Sequence, residues 1–209
     1  MQRFVLEQNI KRFHALMTKE RESRSLATLR NLLSESERNL ALMDATGLGL
    51  LPEVAVRGPA DPFAQRDREF SRLFEAAEEN YLLLDPRPGL RIVDVNEAYA
   101  NATMTSRNGI PGERMFDVFP DNPADPLADG VSNLFRSLKR VAETRKPHTM
   151  AIQRYDVRDQ QGDFVVRYWR PVNLPIFSAA GDLVRLLHQV EDVTAEVLGG
   201  SLSGQLNAR

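Results

Sequence analysis

Three histidines, a run of spaced aspartates and the absence of any cysteine define the side-chain chemistry open to this chain. Without a thiol there is no thiolate nucleophile, no disulfide and no soft-ligand metal site. His188 sits in the apolar run Leu183 to Val193, where an imidazole near its ordinary pKa can read a ligand or a proton. A hydrogen-bonded core histidine is the favoured reading, because nothing adjacent in sequence would perturb it. His148 follows Lys146-Pro147 at a strand entrance and reads as simply exposed. Asp117, Asp121, Asp125 and Asp129 are interleaved with Pro and Asn, a pattern that suits turn capping better than metal ligation. No catalytic triad, paired carboxylate or metal-ligand spacing is found, so neither a catalytic residue nor a metal site is expected. Gly47-Leu48-Gly49 is not a phosphate loop: Pro52 stands where a helix would open, and no Gly-Lys-Ser/Thr follows.

The elements that would carry these residues fall into an appendage and a domain. The chain has 209 residues, with 27 Lys plus Arg against 29 Asp plus Glu. Its net charge of −2 leaves no footprint for nucleic acid. Apolar runs such as Tyr81 to Leu84 fall far short of the roughly 20 residues a membrane helix needs. Glu7, Lys11 and Arg12 interrupt any signal-peptide core, so a cytoplasmic protein is expected. Leu6, Ile10, Phe13 and Met17 form a helical stripe, and Leu26, Leu29, Leu33, Leu40 and Met43 form a second, with Ser36 the one polar residue in its seam. Residues 1–44 thus read as a helical hairpin. Two helices cover only part of each other, which favours completion against a second copy over packing onto the following domain. Gly and Pro accumulate over 45–66, a linker composition, and 198–209 reads as a flexible tail or the edge of a longer signalling protein.

Between them lies one domain, 67–197. Phe70, Leu73, Phe74 and Ala77 make a short helix, and strands follow at Tyr81 to Asp85 and Leu90 to Val95, divided by a turn holding Pro86, Pro88 and Gly89. Short helical patches and turns occupy 96–126, and a longer helix runs from Gly130 to Glu143. Three strands close the domain, at about 148–157, 164–176 and 183–193, reversed at Gln161-Gly162-Asp163 and Ala180-Gly181-Asp182.

In this order, the segments Phe70 to Asp85, Ile92-Val93-Asp94-Val95-Asn96-Glu97-Ala98-Tyr99, Gly112 to Pro120 and Asp192-Val193-Thr194 resemble the PAS domain family of sensory modules, bacterial signalling members above all. The resemblance implies an α+β fold: a five-stranded antiparallel sheet with helices on one face around a small pocket. Alignment with cofactor-binding members turns Trp169, Pro171 and Asn173 inward, with Leu186, His188 and Val190 beside them. The opposite parity would bury Tyr168, Arg170 and Val172, and the first is preferred because it buries the only Trp. The candidate ligand-binding residues are therefore Trp169, Asn173, Leu186, His188 and Val190.

Asn96, Asp192 and Thr194 are candidate signal-coupling residues. Asn96 would close the second strand as an Asx turn, and Thr194 would cap a helix through Val197. Haem sensors of the family commonly carry a histidine on the long helix, which has none here, and covalent flavin chemistry needs a cysteine. Both are disfavoured and the cofactor is unnamed. The hairpin with His14 also resembles the phosphotransfer domain of histidine kinases, but Ala15-Leu16 follows where an acidic residue and proline are usual. The expected function is non-catalytic: a sensory PAS protein that binds a small ligand or a partner such as a signalling kinase or regulator, and dimerises through its hairpin. A ligand-free PAS scaffold is the alternative, and a histidine phosphotransfer protein a more distant one.

Overall fold

A computed structural model of the chain describes residues 2–50 and 68–199, so most of the linker expected over 45–66 and all but the first two residues of the tail expected over 198–209 lie outside the described residues. Helices α1 (Gln2–Met17) and α2 (Ser23–Gly47) form the hairpin. The stripe Leu6, Ile10, Phe13 and Met17 is only half-buried, and no residue of α1 is fully buried. Helix α2 buries Ser34, Ser36, Ala41, Asp44 and Ala45, because it packs against α6 (Gly130–Thr144). These residues are mostly small and let the two helices approach closely. Two of the polar ones have partners: Ser34 donates to the Ala128 carbonyl, and Asp44 accepts two bonds from Arg3.

The hairpin is therefore not free-standing, and α2 runs to Gly47, three residues past the expected boundary at Asp44. Its end is sewn to the turn between the first two strands: Gly89 N–H donates to the Ala45 carbonyl, and Leu50 N–H to that of Pro86. Gly49, at φ +62°, permits this approach, since a Cβ there would lie 2.5 Å from the Pro88 nitrogen. Ala41, Ala45 and Leu50 join the same core as the sheet.

Helix α3 (Arg68–Ala76) leads into β1 (Asn80–Leu84) and β2 (Ile92–Val95). Helices α4 (Glu97–Ala102) and α5 (Met115–Val118) precede α6. The expected strand over 148–157 is broken into β3 (His148–Thr149), β4 (Gln153–Arg154) and β5 (Val157–Arg158). Strand β5 leaves to pair with β6 (Phe164–Val165) as a separate ribbon, while β3 and β4 both pair with β7 (Tyr168–Phe177). From Thr149↔Val172 to Gln153↔Trp169 the edge takes one residue more than β7 does. That bulge falls opposite Pro171, which has no N–H to give the ladder. Strand β8 (Leu183–Asp192) completes an antiparallel sheet of order β2-β1-β8-β7-β3. Helix α4 packs on β1, and α6 on β3, β7 and β8. Leu82, Leu84, Ile92, Val95 and Leu186 from the sheet meet Val131, Leu138 and Val141 from α6 in the core.

Candidate functional site

Pleating sends alternate residues of β7 and β8 to opposite faces, and the face under α6 carries Trp169, Pro171, Asn173, Leu186, His188 and Val190, all buried. Tyr168, Arg170 and Val172 point the other way and are less covered, so the parity that buries the Trp is the one adopted. Register then assembles a row that sequence spacing does not reveal. His188 on β8 lies between Leu82 on β1 and Asn173 on β7, and Asn173 lies opposite His148 on β3.

Beside this row is a cavity of about 40 Å³. Of the predicted residues, Trp169, His188 and Val190 line it, as does Pro171. Asn173 and Leu186 do not: Asn173 stands behind His188 and holds its ring, and Leu186 is fully buried core. The remaining walls include Tyr99, Met115, Phe119, Leu134 and Tyr155, from helices and loops whose distance from the sheet in sequence hid them. Most of the polar wall is committed to the protein. Trp169 Nε1 donates to the Tyr155 carbonyl at 2.8 Å, Tyr155 hydroxyl to that of Phe119, and Thr103 hydroxyl to that of Tyr99.

Two groups keep capacity. His188 makes its one hydrogen bond through Nδ1, to Asn173 Oδ1 at 2.7 Å. Since Asn173 Nδ2 donates to Ser137 Oγ at 2.7 Å, its oxygen must accept, so Nδ1 carries the proton and Nε2 presents a lone pair. Burial holds the His188 pKa down at about 4, and the ring is neutral. Tyr99 packs its ring edge-on to His188, with centroids 6.1 Å apart, and its hydroxyl meets no hydrogen-bond partner among the described residues. Burial raises the Tyr99 pKa, so it too is neutral.

The network runs outward to the surface. Ser137 Oγ, on α6, also meets His148 Nδ1 at 2.7 Å, and Arg140 donates to His148 Nε2 at 3.2 Å. Arginine can only donate, which fixes the His148 proton on Nδ1 and makes Ser137 accept from both neighbours. His148 is therefore not the simply exposed residue expected from Lys146-Pro147: it is half-buried, and burial followed by the charge of Arg140 lowers its pKa.

The coupling residues occupy junctions. Asn96 is fully buried, accepts from the Tyr81 and Tyr99 amides and donates to the Glu79 carbonyl, which fixes α4 to β1. Residues 194–199 are helical, with Thr194 already in the first turn. Its hydroxyl accepts from Tyr168 N–H on β7 rather than capping the helix, while Asp192 accepts from Thr194 N–H. Asp121 ties the cavity's surroundings to the hairpin: one oxygen accepts from Val131 N–H at the start of α6, the other from Arg38 of α2 at 2.6 Å. Asp125 accepts from Leu127 N–H, a turn role; Asp117 lies exposed in α5, and Asp129 flanks α6 without a side-chain cap bond. His14 is exposed on α1, 3.8 Å from Glu37.

Among the described residues no three His, Asp or Glu side chains are placed to hold a metal ion, and no helix is long and apolar enough to cross a membrane. The cavity also does not fit a haem or a flavin, since drug-sized groups occupy roughly 300–1,000 Å³.

No protein-family model matches the chain, and no curated protein matches it. Solved structures do. A PAS domain from Colwellia psychrerythraea is 14% identical with a TM-score of 0.46, covering 61% of this chain and 96% of that one. A light-oxygen-voltage domain from work on a flavin analogue is 14% identical with a TM-score of 0.48, covering 68% and 98%. The PAS domain of the fruit-fly ELK potassium channel is 15% identical with a TM-score of 0.45, covering 61% and 96%. The sheet order β2-β1-β8-β7-β3, with α4 and α6 packed on it around a small cavity, is the α+β architecture that those sequence segments imply.

Proposed function

We propose that this chain is a non-catalytic sensory protein whose PAS-fold domain binds a small ligand in the cavity under α6 and passes the change to α2 and to the helical segment 194–199. The observation that carries this reading is a buried cavity whose walls connect to both elements. Tyr155 and Phe119 line it, Asp121 two residues beyond Phe119 holds Arg38 of α2, and Thr194 holds β7 one residue from Trp169. A ligand acts here only through its different affinity for two arrangements of these walls. Dimerisation belongs to α1: it has no fully buried residue, and Phe4, Val5 and Leu16 are exposed. A signalling kinase or regulator, in the cytoplasm, is the partner class this reading supposes.

The cavity's small volume favours a second reading, in which the domain is a ligand-free scaffold. Denaturing mass spectrometry and an absorbance scan of the purified protein detect a retained ligand. Titration of Trp169 fluorescence against a broad compound library tests for one lost in purification. A saturable change in emission supports sensing; indifference across the library leaves the scaffold.

A further inference from the structure

Resting on the reading that the cavity takes a ligand, we propose that this ligand is a short neutral alcohol, held by its hydroxyl between Tyr99 Oη and His188 Nε2. Tyr99 and His188 are 3% and 4% exposed, and both line the cavity. Neither spends the group in question on the protein: the Tyr99 hydroxyl has no partner among the described residues, and His188 bonds only through Nδ1. A tyrosine hydroxyl donates, whereas a neutral imidazole nitrogen without its proton only accepts. Among small uncharged groups, a hydroxyl answers both with one atom: its oxygen accepts from Tyr99 while its hydrogen goes to His188.

Charge and size narrow the class further. The lining side chains carry no formal charge, His188 being neutral, so an ionised ligand would be stripped of water with no counter-charge to replace it. A space of about 40 Å³ is far below the roughly 300–1,000 Å³ of drug-sized pockets and admits only a small molecule. A short alcohol falls within that size class. Met115 and Met150, flexible and apolar, flank it and suit a small alkyl group.

Ethanol and acetonitrile test the assignment on the full chain: both have three non-hydrogen atoms, but only ethanol donates. The readouts are the 15N resonance of His188 Nε2 and the methyl resonances of Met115 and Met150. Ethanol should produce saturable shifts with a Kd no tighter than about 1 mM, the ceiling for so few atoms. Acetonitrile leaves Nε2 without a donor and should bind about tenfold more weakly. His188→Leu, which removes the acceptor that only ethanol can use, should bring the two probes within about twofold of one another, while Tyr99→Phe, which keeps the ring but removes a donor both can use, should weaken both about tenfold and leave ethanol preferred. Should His188→Leu fail to fold, the weakening of both probes in Tyr99→Phe and the wild-type Nε2 shift still decide. Equal binding of the two probes, unchanged affinity for both in Tyr99→Phe, or no saturable shift because water alone keeps the place, overturns the proposal. If the alcohol fails while another compound class moves Trp169 emission, cavity sensing stands and only the hydroxyl ligand falls. If nothing moves it, both fall.

Discussion

His188 shows how a single residue type changes meaning with its surroundings. In sequence it is an imidazole in an apolar run; in the fold its Nδ1 is tied to Asn173 and its charged form is driven out by burial. Because its pKa is lowered from 6.5 to about 4, the unfolded chain binds the proton first, and acid favours unfolding. This group's contribution to stability is complete above about pH 6.5 and drains away as pH falls toward 4, a loss of about 3 kcal/mol over that window. Urea unfolding at pH 7 and pH 4.5 measures it. His188→Leu should flatten this part of the slope, while losing about 1–3 kcal/mol at pH 7 because Asn173 Oδ1 is left unpaired. A slope unchanged by the substitution would assign the acid sensitivity to the carboxylates instead. Asn96, Asn173 and Ser137 are polar yet buried for the same reason: each has its partners inside the fold.

At the scale of elements, two contacts decide how α6 sits. Gly130 opens it against the Tyr155 ring, where a Cβ would lie 2.3 Å from Cδ2. Gly130→Ala must push the ring aside and strain its bond to Phe119, with an expected cost of about 2 kcal/mol in unfolding free energy measured by denaturant and an altered Trp169 emission, since Tyr155 lines the same cavity. The second contact is Arg38 with Asp121 and the Ala128 carbonyl, which pins α2 to the loop before α6. Arg38→Ala leaves a nearly buried carboxylate without its cation, and about 2–3 kcal/mol of stability should go with it. Hydrogen exchange would show the loss as faster exchange across α2. Protection unchanged in α2 would mean the helix is held by its small-residue packing alone. The helical stripes and the α6 span were legible in sequence, because apolar period and caps are local signals. The broken edge β3–β4 was not, since it answers to Pro171 on another strand.

For the whole molecule, the hairpin question divides between its two helices. Helix α2 belongs to the domain's core, so removing residues 1–44 would uncover α6 rather than test assembly. Val5→Glu with Leu16→Glu charges the open side of α1 and leaves α2 in place. If α1 forms the dimer, light scattering should show the wild type at twice the mass of this variant, and equal masses would remove α1 from assembly. Alternation and turn residues along single segments determined most of the strands and the order of elements, because those signals are local, whereas the inward parity of Trp169 and His188 came from the family resemblance and the burial of the only Trp. Tertiary structure alone decided which inward residues meet the cavity, that Asn173 links His188 to Ser137 and His148, that Tyr99 faces the same space, and that α2 is part of the core. Each depends on residues far apart in the chain being set opposite one another by strand register and helix docking, and no local period encodes that pairing.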